Sequence, residues 1–220
     1  AMVEAYDAKG SACSLNTRLD HFTDEAGIEA AQNAVKALGG ERVPSGDYTV
    51  IFGPQPVADI VNNIVAPACR ADMFYASNTP FLGRVGRAVA AEGLSVYDDG
   101  ARGGLLGSKG LTCEGLPTGR TDLIRDGILV GLLANWYESQ RLQRDPEGPV
   151  KLGVTGAVAA QALTPRNGFR FGPGGGRRFD IRPGVAATNV VVEGRDPSSL
   201  PDLLRRVDHG LYIGRIWYTY

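Results

Sequence analysis

The sequence predicts an α+β fold, a largely antiparallel sheet built from β-hairpins with three to four helices packed on one side. Three observations predict it. Asp126-Gly127 separates two apolar runs, residues 121–125 and 128–133. Asp-Gly in that setting is a strong hairpin signal, because a type I′ turn needs positive φ at both central residues. A third run, Leu94-Ser95-Val96-Tyr97, is β-branched and aromatic and is stopped by Asp98-Asp99-Gly100. Finally, Val57, Ile60, Val61, Ile64 and Val65 repeat with the spacing of a helix that buries one face.

From the amino terminus, Ala1-Met2 reads as a cloning remnant, and residues 3–6 and 11–19 as two strands around Lys9-Gly10. Thr23 is expected to cap a helix running to about Leu38. Asp24 and Glu25 suit its positive end and Gly39-Gly40 stops it. Its apolar stripe is Ile28, Ala31, Val35 and Leu38, placed to pack on a sheet. Tyr48-Thr49-Val50-Ile51-Phe52 reads as a buried strand. Gly53-Pro54 turns it into the second helix, about 56–65, which Pro67 ends. Residues 68–89 are punctuated by Pro and Gly and read as irregular.

Between the first strand of the central region and its hairpin lies a glycine-studded loop, residues 100–119. Connections of such length within a domain are more often functional than idle. Asn135 opens a helix of about ten residues, with Trp136 and Tyr137 as expected core anchors and Asp145-Pro146 as its close. Residues 151–165 are rich in small side chains and specify little. Residues 166–179, RNGFRFGPGGGRRF, form the most basic stretch. Here Gly174, Gly175, Gly176, Arg177 and Arg178 suit an anion or a peptide carboxylate, as flexible backbone donors beside arginines do. No P-loop is present, since the Lys-Ser/Thr and its helix are missing. Residues 187–192 read as a strand and 199–207 as a helix capped by Ser198 or Ser199, with Leu200, Leu203, Leu204 and Val207 on its apolar face. His209-Gly210 stops that helix, and residues 211–220 read as a last strand.

Several stretches carry a family resemblance: "EGLSVYDDG" ending at Gly100, Cys113-Glu114-Gly115-Leu116-Pro117-Thr118-Gly119-Arg120-Thr121 and onward to Asn135, Arg182-Pro183-Gly184, then Thr188-Asn189-Val190-Val191-Val192 with Gly194, and Gly210-Leu211-Tyr212-Ile213. In that order they resemble the carboxy-terminal part of the TldD/PmbA family, over about residues 46–220. Residues 1–45 then belong to a preceding region with one helix, and the chain reads as a fragment stopping in mid-strand, whose open edges invite strand exchange or dimerisation.

The resemblance implies a zinc peptidase scaffold. TldD-type members carry HExxxH on the helix after the buried strand, two zinc-binding histidines and a glutamate base. The matching positions here are Asn62, Asn63 and Pro67, and no histidine lies between His21 and His209. The chain is therefore similar to the metal-less PmbA side of the family, with no cofactor and no catalytic residue of its own expected. Thr188 and Asn189 join Gly174 to Arg178 as candidate peptide- or anion-binding positions. The implied partners are an extended peptide and a zinc-bearing TldD-like protein or a second copy. The alternative is a hydrolase with a non-standard site completed by segments outside this chain.

Composition narrows the field. The net charge of -1 gives no electrostatic case for nucleic acid or an anionic membrane, and so none for acting on DNA. Cys13, Cys69 and Cys113 are widely spaced and odd in number, which fits buried or free thiols in a reducing compartment. No run of about 18 apolar residues and no signal peptide is present, so the cytoplasm is expected. His21, His209 and Cys69 are acceptable zinc ligand types without a zinc-like spacing, and no G-x-S-x-G nucleophile elbow occurs.

Overall fold

The computed structural model describes residues 8–171 and 178–216, and the backbone of residues 2–5. The chain divides into two compact units, Ala1–Asp47 with Gly104–Leu106, and Tyr48–Gly103 with Gly107–Tyr220.

In the first unit, strands β1 (Met2–Ala5) and β2 (Ala8–Ser11) pair antiparallel, with Val3 opposite Gly10 and Glu4 opposite Lys9. Lys9-Gly10 is thus inside a strand and not the turn, and no strand occupies residues 12–19. The reason is the helix behind it. A Cβ on Gly10 would come within 2.1 Å of the Ala30 carbonyl of α1 (Glu25–Lys36) and 2.2 Å of the Ala34 nitrogen. Glycine there lets helix and strand backbones touch. The same closeness selects the small face of α1: Ala30 and Ala34 are buried, while Ile28, Val35 and Leu38 of the expected stripe stay exposed. The helix starts after Asp24, one residue later than a Thr23 cap would put it.

The second unit holds strands β3 (Thr49–Phe52), β4 (Leu94–Asp99), β5 (Arg120–Arg125), β6 (Ile128–Leu129), β7 (Gly168–Phe169), β8 (Gly184–Val185), β9 (Val190–Gly194) and β10 (Gly210–Ile213). Its helices are α2 (Pro54–Ile60), α3 (Ala66–Ala68), α4 (Ala71–Tyr75), α5 (Trp136–Arg144), α6 (Gly148–Leu152), α7 (Gly156–Ala162) and α8 (Leu200–Arg205). The fold class is α+β, with the helical residues divided into more and shorter pieces than expected. The main sheet runs β6-β5-β4-β9, antiparallel throughout. Asp126 and Gly127 take φ of 49° and 79°, the two positive values that a type I′ turn requires. Against this sheet packs a core in which Phe74, Leu123, Leu129, Leu132, Leu133 and Leu142 are almost wholly buried. Each such side chain contributes about 1.5–3 kcal/mol relative to exposure.

Two sequence expectations are corrected around α2. β3 is not buried: it pairs only with β10 among the described residues, in parallel, and leaves Val50 and Phe52 exposed. The following helix begins at Pro54, whose missing N–H costs nothing in a first turn, and does not end before Pro67. It runs through a π turn, Val61–Val65, where the Ala66 N–H donates to the Val61 carbonyl five residues back. That widening makes room for Pro67, which offers no N–H and would crowd the carbonyl four residues before it. The extra residue in the turn also rotates the helix face. Ile64, expected in the core, is 51 % exposed, while Val61, Ala66 and Ala68 are buried.

Elsewhere caps behave as the sequence suggests. Asn135 accepts from the Glu138 N–H at 2.7 Å and opens α5, and Ser199 accepts from the Asp202 N–H and opens α8. Trp136 and Tyr137 are exposed, not core anchors, because the turn beginning at Asn135 presents them on the outer side of α5, whose buried residues are Ser139 and Leu142. The leucines of α8 are likewise partly exposed.

Candidate functional site: a buried carboxylate, a clamped loop and a cationic cavity

The last turns of β4 carry the polar centre of the second unit. Antiparallel pairing places Asp98 opposite Val190 of β9, so the residues entering β9 arrive beside its carboxylate. Asp98 Oδ1 accepts from the Thr188 N–H at 2.7 Å, and Oδ2 accepts from the Thr188 hydroxyl at 2.9 Å and from Asn167 Nδ2 at 2.7 Å. Asn167 Nδ2 also donates to the Ala186 carbonyl, while its buried Oδ1 has no partner among the described residues. Burial pushes the Asp98 carboxyl above the ordinary carboxylate range, and the hydrogen bonds from Thr188 and Asn167 only partly offset it.

The next residue of that strand entry, Asn189, holds the glycine loop. Its Oδ1 accepts from the Gly107 N–H at 2.9 Å, and its Nδ2 donates to the Asp99 carbonyl at 2.8 Å and to Ser108 Oγ at 3.1 Å. Gly107 is required by the approach: a Cβ there would lie 2.1 Å from the Thr188 carbonyl. Beyond Gly107, Lys109 Nζ donates to the Gly107 carbonyl and sits 5.1 and 5.7 Å from the ring centres of Phe169 and Phe171. On the far side of the loop, the Cys113 N–H donates to the Gly168 carbonyl, and Glu114 Oε2 accepts from the Trp136 N–H at the start of α5.

These elements surround a cavity of about 620 Å³. Leu111, Phe169, Phe171 and Phe179 supply its apolar wall, Lys109, Arg170 and Arg178 its cations, and Ser108 and Cys113 its remaining polar groups. Arg178 Nε donates to Asp180 Oδ1 at 3.0 Å, and the Arg170 guanidinium donates to the Phe179 carbonyl. The structure therefore puts Arg178 on the cavity wall, and Thr188 and Asn189 off it, in the hydrogen-bond system that holds Gly107 and the wall residue Ser108. Gly174, Gly175, Gly176 and Arg177 lie outside the described residues. Sequence reading missed Asp98, taken only as a strand stop, and Lys109. The alternation Phe169, Arg170, Phe171 was the available signal for an aromatic and cationic wall.

The helix that would bear a zinc motif is arranged otherwise. Asn62 and Asn63 are exposed, and Asn63 Nδ2 donates to the Asp59 carbonyl at 2.9 Å, one turn back. Pro67 has no ligand atom. Amide side chains of which one is already a donor to the backbone do not fit zinc, which takes thiolate, imidazole or carboxylate. Among the described residues no group of three His, Cys, Asp or Glu stands where it would hold a metal ion. Cys69 is a buried thiol whose pKa is pushed up to about 12 by burial, and Cys13 and Cys113 are exposed cysteines outside any disulfide among the described residues. No helix among the described residues is long and apolar enough to cross a membrane.

Comparison with known proteins places this geometry. Residues 45–219 match the PmbA/TldA metallopeptidase C-terminal domain. The chain is 36 % identical over 121 residues to a metalloprotease of Synechocystis sp., covering 54 % of this chain and 26 % of that protein. It is 25 % identical over 131 residues to a metalloprotease of Methanothermobacter thermautotrophicus, covering 60 % and 29 %. Two solved structures share the fold. One is a candidate modulator of a DNA gyrase from Thermotoga maritima, with a TM-score of 0.74 at 22 % identity, over 98 % of this chain and 43 % of that one. The other is TldE from Thermococcus kodakarensis, with a TM-score of 0.69 at 21 % identity, over 99 % and 44 %. This chain spans less than a third of the two curated relatives and under half of the two structures. With its matched segment covering most of the chain, the protein belongs to the PmbA/TldD metallopeptidase family, as a C-terminal domain of that type.

Proposed function

We propose that this chain is the peptide-recognising C-terminal domain of a PmbA-like member that lacks its own zinc centre and holds extended peptides, by itself or for a metal-bearing TldD-like partner or second copy. One observation carries the reading. The positions that match HExxxH are Asn62, Asn63 and Pro67, with Asn63 bonded to its own helix backbone. The two-stranded β3–β10 pair and the loop between β4 and β5 support backbone-mediated capture, which tolerates varied sequences. Gly174, Gly175, Gly176 and Arg177, together with Arg178, Thr188 and Asn189, are the proposed peptide-side positions. Three cysteines without a disulfide among the described residues support a cytoplasmic setting.

The test is elemental analysis of the full-length natural protein, followed by hydrolysis of unstructured peptides with and without a HExxxH-bearing relative. The reading expects no stoichiometric zinc, no cleavage by the protein alone, and measurable peptide binding. Stoichiometric zinc together with cleavage by the protein alone would overturn it in favour of a hydrolase whose non-standard site is completed outside this chain.

A further inference from the structure

We infer that the cavity between the loop leaving β4 and strand β7 takes the carboxy-terminal end of a peptide whose last side chain is apolar. The inference rests on the peptide-binding reading and adds which end of the peptide is read and where. Its volume, about 620 Å³, falls within the roughly 300–1,000 Å³ usual for ligand sites. Three of its lining groups are cations and none is a carboxylate; Arg178 pairs with Asp180 beside the lining, which leaves three cations to one neighbouring carboxylate. An anion is therefore the complementary charge. Most of the rest of the wall is apolar, with the Phe169 and Phe171 rings 5.9 Å apart and tilted by 41°. Such a wall gains from an apolar body attached to that anion. A free peptide carboxylate beside an apolar side chain combines both, whereas inorganic phosphate leaves the rings unused and an internal peptide segment without an acidic side chain leaves the cations unused.

One of the three cations is tied both to the rings and to the glycine loop. Lys109 stands over Phe169 and Phe171 and bonds the Gly107 carbonyl. Gly107 is in turn held through its N–H by Asn189. Asn189 is thus a positioning residue for the ammonium, and Cys113 on the same wall reports occupancy through its exposed thiol.

The experiment uses the full-length natural protein and four probes: a short peptide ending in Leu with a free carboxylate, its carboxamide, the same peptide ending in Asp, and adenosine monophosphate. Affinity is measured by calorimetry, and alkylation of Cys113 by iodoacetamide is followed by peptide mapping. The free-acid Leu peptide should bind and slow Cys113 alkylation. Its carboxamide and the Asp-ended peptide should bind about tenfold or more weaker, as should the free acid to a Lys109→Gln variant. Lys109→Arg should restore part of the loss, and matching thermal melts would separate binding from folding. Equal binding of acid and amide, or adenosine monophosphate displacing the peptide at lower concentration, would overturn the assignment. Peptide binding that neither protects Cys113 nor responds to Lys109→Gln would leave peptide recognition standing and remove this cavity from it. Absence of binding by all three peptides would sink both.

Discussion

The end of β4 and the helix from Pro54 to Ala68 carry the same kinds of polar side chain and treat them in opposite ways. At β4, Asp98 is 1 % exposed and receives three hydrogen bonds from Thr188 and Asn167. On the helix, Asn62 and Asn63 face solvent, and the side-chain hydrogen bond that Asn63 makes returns to the helix itself. A buried polar group persists only when its partners are in place, because an unpaired one forfeits its hydration. A solvated one is under no such constraint. The difference locates where this domain has fixed geometry: at the junction of β4, β9 and the glycine loop, and not at the positions where the family resemblance would put metal chemistry.

Removing the buried carboxylate breaks that junction hardest. Asp98→Ala leaves the Thr188 N–H, the Thr188 hydroxyl and one Asn167 amide donor without their acceptor, at about 1–3 kcal/mol for each unmet group before relaxation. Relief from burying a charge offsets part of this, so a net loss of about 2–4 kcal/mol is expected. The check is the urea midpoint, with an unchanged slope showing that the unfolded state is not the cause. Gly107→Ala comes next. Its methyl would meet the Thr188 carbonyl, the loop must back away from Asn189, and a cost of about 1–3 kcal/mol follows. Amide exchange across residues 100–119 should quicken in this variant, since the Asn189 bonds to Gly107 and Ser108 no longer close.

The pH dependence sharpens the same contrast. Burial raises the Asp98 pKa in the folded state, so the folded protein holds this proton more tightly than the unfolded chain does. Its contribution to stability is therefore present in full below the unfolded carboxylate value and is lost as pH rises through the higher folded value. Asp98→Asn cannot titrate and should flatten that part of the stability profile. Its absolute stability is a poorer guide, because a new amide would face the Asn167 amide, donor to donor. A wild-type-minus-variant difference that grew with rising pH would contradict the sign.

Much of the second unit was legible in sequence because its signals are local. Asp126-Gly127, the Asn135 cap and the Ser199 cap each act over a few residues, and the structure realises all three. The polar junction was not legible, because its partners are 69 and 90 residues apart and nothing local marks Asp98 as buried. Helix faces failed for a different reason. The stripe on α1 lost to backbone contact through Gly10, Ala30 and Ala34, and the stripe on the second helix was thrown out of phase by the π turn ahead of Pro67. Of the candidate binding positions, Arg178 could be read from its basic surroundings. Lys109 could not, since its place depends on the loop being held by Asn189.

The smallest expected effect is the most informative about the helix. Asn63→Ala removes the bond from Nδ2 to the Asp59 carbonyl, an exposed hydrogen bond with a net worth of about 0.5–1.5 kcal/mol at most. Alanine returns several tenths of a kcal/mol in helix propensity, and water satisfies the freed carbonyl. The two nearly cancel, so the urea midpoint should shift by less than about 0.5 kcal/mol in equivalent stability. Peptide affinity should not change. A loss above about 2 kcal/mol would mean that the π turn depends on Asn63 as a brace. The helix would then be as constrained as the β4 junction, and the turn itself would set which side chains positions 62, 63 and 67 accept.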